Sequence, residues 1–374
     1  MTFTPFPNMP WDSILLDFVG QETGISVSVD LQMADNKQNY LPYQAHVYEA
    51  DVVFRDADTF VPSGYIEYRN AEWNSEDHVF PQPMIPEPLL IPANTQISVA
   101  SNNTSIYDLQ NYLNLPLCTA PNEAGRWVDV NHLPFNASLV PSPDTHNRVW
   151  LPYACRLLPH TYDDLAQCLE KKHPLVHWFG DSNTRRALKK ITTMGSWCSD
   201  PSEVNNIFCK CSDNAEIFSG YNTLSAITPI HLTNGSQITL FKWGGLTTLN
   251  NPPWADTFTP DFQQNMGSPS VAIFGLLNWD VAYSSRTFFA QEVGKLIDLI
   301  EQNYPASTDI IIRTGQYYCC THDHDAYWKR KFSRLRTEYF NTYIVDAFED
   351  RFATQRKISI WDVAQISKDR PTKF

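Results

Sequence analysis

From residue 175 onward the sequence alternates between short apolar segments and longer amphipathic ones, and this alternation is the strongest constraint on the fold. Segments with the length and composition of buried strands lie at 175–179, 238–243, 271–278, 309–313 and 357–363. Helical spacing of apolar residues is clear in 183–195, between Phe288 and Ile300, and around Tyr339. Strands that alternate with helices predict an α/β fold with a parallel sheet covered on both faces. Chemistry in such sheets lies at the carboxyl ends of the strands.

The turn Gly180-Asp181-Ser182 follows the first of these strands and precedes the first helix. A serine at this junction lies where unpaired backbone N–H groups and the positive end of the helix dipole converge, as an acyl-transfer serine requires. The alternative is that Asp181 and Ser182 only cap the helix, and the tripeptide alone favours that alternative. However, Gly244-Gly245 and Asn278 also come at predicted strand ends. This coincidence favours a catalytic site at one edge of the sheet.

Residues 1–104 are predicted to form a smaller β-rich domain ahead of the α/β domain. Ile25–Leu31 alternates between apolar and polar residues, and short strand candidates follow at 64–68 and 96–100. Short strands separated by Pro, Asn and Asp are typical of an immunoglobulin-like β-sandwich. Because no catalytic constellation occurs here, we expect this domain to support the fold. Binding of a glycan or of a protein partner is the alternative.

Residues 105–174 are predicted to be a loop-rich bridge that packs on the catalytic domain, which spans 175–374. All eight cysteines of the chain lie at or after Cys118, and an even number of cysteines is compatible with disulfides whose connectivity the sequence leaves open. The segment 319–325 carries two cysteines and two histidines, but its spacing does not match a common zinc pattern. We therefore expect no metal and no bound cofactor.

The order of these motifs resembles the SGNH (GDSL-type) hydrolase superfamily. A narrower similarity rests on Gly180-Asp181-Ser182-x-x-Arg185 with Gly125-x-Trp127 and Trp150-x-Pro152-x-x-Cys155 ahead of it. Together they resemble the PC-esterase branch, which includes trichome birefringence-like O-acetyltransferases, fungal capsule O-acetylation proteins and NXPE proteins. The similarity covers about residues 118–370. It implies an SGNH-type three-layer sheet behind the β-sandwich-like domain.

The resemblance also implies a set of roles for the residues at the strand ends. Ser182 is the implied nucleophile, and its own N–H, Asn278 and either Gly244 or Gly245 form the implied oxyanion hole. Asp181 and Arg185 support the serine loop; for Arg185 an acidic sugar or a surface ion pair are the alternatives. The implied reaction is O-acyl transfer, in particular O-acetyl transfer, to a glycan hydroxyl, or the matching esterase reaction, through an acyl-serine. The acyl donor would be a co-substrate such as acetyl-CoA.

The sequence departs from this family at the catalytic base. The family takes its aspartate and histidine from an Asp-x-x-His block after the last strand, and no histidine follows His324 in this chain. Three readings stay open: loss of a C-terminal segment, which we rank first, an inactive relative that binds glycans or acts as a scaffold, or recruitment of His322 or His324 as the base. The chain as written favours the inactive relative. His322 is alternatively a wall of the active site or a solvated loop residue.

Charge and composition narrow the choice of partners and compartment. The formal net charge of −13 argues against a general nucleic-acid binder, because a polyanion is repelled, and leaves neutral glycans as substrates. Four glycosylation sequons, at Asn102, Asn103, Asn136 and Asn234, weakly support a secretory compartment. Residues 1–20 match neither a signal peptide nor a membrane helix. The chain is therefore either cytosolic, or Golgi-luminal or secreted with its targeting segment or N-terminal anchor missing from this chain, and we favour the second alternative.

Aromatic residues near the predicted strand ends, namely Trp243, Trp254, Trp279 and Tyr283, suit stacking on sugars. Core packing explains them at least as well.

Overall fold

The structure is a computed structural model. It describes residues 12–34, 47–68, 87–100, 109–120, 123–144, 147–195, 227–232, 235–247, 254–258, 267–317 and 334–368. The chain forms two compact units. The first comprises 1–159, 316–338 and 364–374, and the second comprises 160–315 and 339–363. The boundaries of these units differ from those of the three segments expected from the sequence. The segment boundaries at 104 and 174 stay predictions.

The first unit contains an antiparallel sheet and a separate two-stranded ribbon. The sheet strands are β1 (Ser13–Gly20), β2 (Ser26–Met33), β3 (Tyr48–Glu49), β4 (Asp58–Tyr68), β5 (Glu87–Pro88) and β6 (Ile97–Val99), in the order β3-β2-β1-β4-β5 with β6 beside β4. The ribbon pairs β7 (Gly125–Asp129) with β8 (Arg148–Pro152). Short 3-10 helices lie at Leu109–Asn114, Val130–His132 and Ala137–Leu139. The antiparallel β structure expected here is present, and the immunoglobulin-like sandwich stays a prediction.

Two buried ion pairs lie in this unit. The Arg126 guanidinium lies 2.6 Å from the Asp56 carboxylate, and both side chains are buried. Arg334 Nε lies 3.1 Å from Asp30 Oδ2, and the Arg334 guanidinium also donates to the Ser28 carbonyl oxygen. Arg334 therefore contributes to a buried ion pair.

One disulfide, Cys118–Cys155, lies in the first unit and confirms disulfide bonding in the predicted bridge. Cys168 is an exposed free thiol. Five further cysteines, at 198, 209, 211, 319 and 320, lie outside the described residues.

The second unit is built on a six-stranded sheet with five parallel strands. Its strands are β9 (Leu175–Gly180), β10 (Ile227–His231), β11 (Gln237–Lys242), β12 (Val271–Gly275), β13 (Asp309–Arg313) and β14 (Ile358–Trp361). Their order is β10-β11-β9-β12-β13-β14, and only β10, at the edge beside β11, is antiparallel to its neighbour. The α/β class is confirmed. The order of the parallel strands reverses direction at β9, and in open parallel sheets ligands bind at the carboxyl end of such a strand.

Helices pack on both faces of this sheet. The helices along the described chain are α1 (Tyr162–Lys172), α2 (Ser182–Thr192), α3 (Leu277–Tyr283), α4 (Arg286–Asn303), α5 (Arg334–Phe352) and α6 (Val363–Lys368), with a 3-10 helix at Trp254–Phe258; nearly all of α6 belongs to the first unit. Leu188 of α2 packs with Val176 and Trp178 on one face. On the other face Phe348 of α5 contacts Phe274, which stacks on Phe179. Successive residues of β9, Trp178 and Phe179, are thus buried on opposite sides of the sheet.

Two glycines allow α2 to start close to the sheet. A Cβ on Gly180 would overlap the Thr184 hydroxyl and lie 2.9 Å from the Gly275 carbonyl oxygen. Gly275 pairs with Gly180 in the β9–β12 ladder. Thr184 is fully buried at this point. Glycine at 180 therefore lets Thr184 enter the space above the two strand ends.

Among the described helices, none has the length and apolar character required to span a membrane.

Candidate active site

Ser182 lies at the carboxyl end of β9, where the strand order reverses. It is the first residue of α2 and is half-buried. Among the described residues, none forms a hydrogen bond with the Ser182 hydroxyl. The position combines partial exposure with the positive end of a helix of three turns, which favours negative charge nearby.

Asp181 caps α2. Its Oδ1 accepts a hydrogen bond of 2.9 Å from the Asn183 N–H, and its carbonyl oxygen accepts from the Arg185 N–H. The side chain is only 2% exposed. The capping alternative is therefore correct for Asp181, and Ser182 occupies the first helical turn instead of the cap.

Asn278 contacts the same aspartate from the helix that follows the neighbouring strand. Asn278 Nδ2 donates to Asp181 Oδ2 at 3.0 Å, and Asn278 is 3% exposed. The predicted strand 271–278 is too long, because β12 ends at Gly275 and Asn278 lies in the first turn of α3. The structure thus brings together Asp181 and Asn278, two of the residues selected from the sequence, with Ser182 next to Asp181 in the chain.

The turn after β11 contains the predicted glycines and is held by a residue that the sequence analysis missed. Asp280 Oδ2 accepts from the Leu246 N–H at 3.0 Å. Asp280 Oδ1 accepts from the Thr247 N–H at 2.8 Å and from the Thr247 hydroxyl at 2.7 Å. Gly245 is buried and has a φ of +154°. Asp280 therefore fixes the chain immediately after Gly244-Gly245.

Asp280 has an unusual protonation equilibrium. Complete burial raises the pKa of its carboxyl from 3.8 to about 7, and the negative charge of Asp181 adds to this rise. The three hydrogen bonds from Leu246 and Thr247 oppose the shift and do not cancel it. The folded protein therefore holds a proton on Asp280 at pH values where the unfolded chain has lost it.

We expect this proton to make stability depend on pH. Because the folded-state pKa is raised, the stabilising contribution is complete below about pH 4 and is lost as the pH rises to about 7. The slope approaches ~1.4 kcal/mol per pH unit within that window. Urea unfolding of the wild type and of Asp280→Asn, repeated across the window, measures this contribution. Equal slopes in the two proteins would show that Asp280 does not titrate in this way.

Further polar contacts lie at the ends of β13 and β14. The Gly315 N–H donates to Asn341 Oδ1 at 2.7 Å, and Asn341 Nδ2 donates back to the Gly315 carbonyl oxygen. The Thr314 hydroxyl donates to Asp362 Oδ1 at 3.0 Å. Asn341 and Asp362 were not identified from the sequence. For Asp362 the signal is its position directly after the last strand, and for Asp280 it is the position two residues after Asn278. The sequence carries no comparable signal for Asn341.

The remaining predicted site residues are Arg185, Gly244 and His322. Arg185 is 6% exposed, so the alternative of a surface ion pair is wrong. Gly244 is half-buried beside Gly245. His322 lies outside the described residues, as does the segment 319–325 that raised the question of a metal. Within the part of the chain that the structure describes, no cluster of three His, Cys, Asp or Glu side chains could hold a metal ion.

Two of the aromatic candidates for sugar stacking are core residues. Trp243 and Trp254 are 1% and 4% exposed, and their rings lie 5.5 Å apart. Core packing is therefore the correct reading for both, while Trp279 is half-buried.

Comparisons with protein-family models, with curated proteins and with solved structures find no match to this chain. The arguments for function therefore rest on the residues of the site and on the motif order.

Proposed function

We propose that this protein transfers an acyl group through Ser182, with a carbohydrate hydroxyl as the acceptor or as the esterified substrate. The Ser182 hydroxyl oxygen attacks the acyl carbonyl carbon, and its proton passes to an imidazole, for which His322 is the candidate from the sequence. The leaving group departs with a proton, and a sugar hydroxyl or water then releases the acyl group from the serine. Ser182 N–H, the Asn278 amide and the Gly244-Gly245 turn stabilise the oxyanion in both steps.

The observation that carries this proposal is the hydrogen bond between Asn278 and Asp181 at the end of β9. This bond joins Asn278, which follows β12, to Asp181, which follows the neighbouring strand β9 and lies directly beside Ser182. A ligand crevice is expected at this point of an open parallel sheet. The positive end of α2 favours the negative charge that develops on the carbonyl oxygen.

The choice of an acylated glycan depends on the motif order and not on the geometry. The series Gly125-x-Trp127, Trp150-x-Pro152 and Gly180-Asp181-Ser182 resembles the PC-esterase branch of the SGNH fold. An acyl donor such as acetyl-CoA fits the transferase form of this reaction. The disulfide Cys118–Cys155 supports an oxidising compartment, such as the secretory lumen or the extracellular space.

The second candidate is an inactive relative that binds glycans or acts as a scaffold. One observation favours it: no imidazole forms a hydrogen bond with the Ser182 hydroxyl among the described residues. The described histidine nearest in sequence, His177, is buried on β9 and is hydrogen-bonded to Tyr304. Without a base, Ser182 is a weak nucleophile at its free pKa.

A fluorophosphonate probe tests the proposal, because it forms a covalent adduct only with an activated serine. We expect one adduct per chain, located at Ser182 by mass spectrometry of peptides. Ser182→Ala should abolish the adduct, whereas Ser142→Ala, which changes an exposed serine of the first unit, should not. A folded wild-type chain that stays unlabelled would overturn the enzyme proposal and leave the binding protein as the better account.

A further inference from the structure

Asp280 is buried, bonded to a glycine turn, and has no role in the mechanism given above. Its carboxylate accepts three hydrogen bonds from Leu246 and Thr247. Two of the donors are consecutive backbone N–H groups, so the carboxylate fixes the direction of the chain after Gly245. A carboxylate can accept all three bonds because each oxygen has two acceptor sites.

Gly245 is part of the same arrangement. A Cβ at this position would lie 2.7 Å from Asp280 Oδ1 and 2.9 Å from Asp280 Oδ2. Its φ of +154° is also one that residues with a side chain rarely adopt. The carboxylate therefore occupies the space that a side chain at 245 would require, and glycine and aspartate depend on each other.

The helix that carries Asp280 also carries Asn278. Asn278 contacts Asp181 after β9, and Asp280 contacts the turn after β11. Asp280 is completely buried, so its hydrogen bonds to the turn after β11 are shielded from water. One helix, α3, thus connects the ends of β9 and β11 through two side chains that are two residues apart.

The bonds to Asp280 also restrict which groups can bind an oxyanion. Both the Leu246 N–H and the Thr247 N–H point to the carboxylate, so neither is an oxyanion donor. If the turn contributes a donor, it comes from Gly244 or Gly245. Such a donor needs a fixed position before the reaction, since reorganisation during the reaction cancels its benefit.

We propose that Asp280 is a positioning residue that fixes the Gly244-Gly245 turn as part of the oxyanion hole. This inference rests on the proposed acyl transfer through Ser182. Asp280 acts through the turn and does not touch the reacting atoms. Asparagine cannot replace it without a cost, because the amide nitrogen would face one of the N–H donors of the turn.

The test compares Asp280→Asn with the wild type in fluorophosphonate labelling and in hydrolysis of p-nitrophenyl acetate. We expect kcat and the labelling rate to fall about 10- to 1000-fold, as for the loss of an oxyanion donor, while KM stays within a few-fold. Thr247→Val is the milder variant, because it removes only the hydroxyl bond and retains both backbone bonds. It should lower kcat by about two- to tenfold and leave KM unchanged.

The outcomes separate the two proposals. If the wild-type chain is not labelled, the proposed function fails and this inference fails with it. If the wild type is labelled and folded Asp280→Asn reacts at the wild-type rate, only the inference about Asp280 fails. If Asp280→Asn does not fold, Thr247→Val decides: a kcat equal to that of the wild type, or a change in KM alone, overturns the positioning role.

Discussion

Replacing Ser182 with alanine is expected to lower the rate of acyl transfer by at least about a thousandfold, because the acyl-serine can no longer form. The same substitution should change the free energy of unfolding by only a few tenths of a kcal/mol. The Ser182 side chain is half-buried, and the cap of α2 is provided by Asp181. Hydrolysis of p-nitrophenyl acetate and urea unfolding measure the two quantities on the same preparation.

Asp181→Ala is the matched comparison. This substitution removes the three hydrogen bonds that the Asp181 side chain accepts from the Asn183 N–H, from Asn183 Nδ2 and from Asn278 Nδ2. It should destabilise the protein by roughly 1–3 kcal/mol, since a helix cap and a buried hydrogen bond are lost together. If Ser182→Ala reduces stability and leaves the reaction rate unchanged, Ser182 has a structural role and the proposed mechanism is wrong.

The parallel sheet was predictable because buried strands leave a strong pattern. β13, Asp309–Arg313, was predicted with the observed bounds, and β9 and β11 within one residue at each end. The edge strand β10, Ile227–His231, was missed. It contains a proline and a histidine and lacks the continuous apolar run of a central strand, as is typical of an edge.

The first unit shows a second limit of prediction from periodicity. β1, Ser13–Gly20, was not predicted, because Asp17 interrupts its apolar residues. In the structure Asp17 is buried and accepts a hydrogen bond from Ser28 on the neighbouring strand. A buried aspartate requires a partner, and the partner is 11 residues away in the sequence. Such a pairing is visible only when the strands are aligned.

The candidate site was predictable from position and not from contacts. Asp181, Ser182 and Asn278 were selected because they follow strands. Asp280 and Asn341 were missed, because their partners are the backbone groups of Leu246, Thr247 and Gly315. Backbone N–H groups occur at every position except proline and leave no signature in a sequence.

Replacing Gly180 with alanine is expected to lower the free energy of unfolding by at least about 3 kcal/mol, at the upper end of the costs of overpacking. The new Cβ would overlap the Thr184 hydroxyl and lie 2.7 Å from Thr184 Cβ and 2.9 Å from the Gly275 carbonyl oxygen. Thr184 is fully buried and held in α2, and Gly275 is backbone of the neighbouring strand. Neither can move without shifting a main element, so α2 or β12 must shift away from β9.

Gly294→Ala provides the matched control, because a Cβ there meets no atom within 4 Å. Gly294 lies inside α4, where alanine should stabilise the protein by roughly 0.5–1 kcal/mol. Adding Thr184→Ala to Gly180→Ala removes the overlap with the hydroxyl but retains the approach to Thr184 Cβ and Gly275. The double variant should therefore recover only part of the lost stability in urea unfolding. Equal stabilities of Gly180→Ala and the wild type would mean that α2 does not start this close to the strand ends, and the contact geometry assigned to Asp181 and Asn278 would have to be revised.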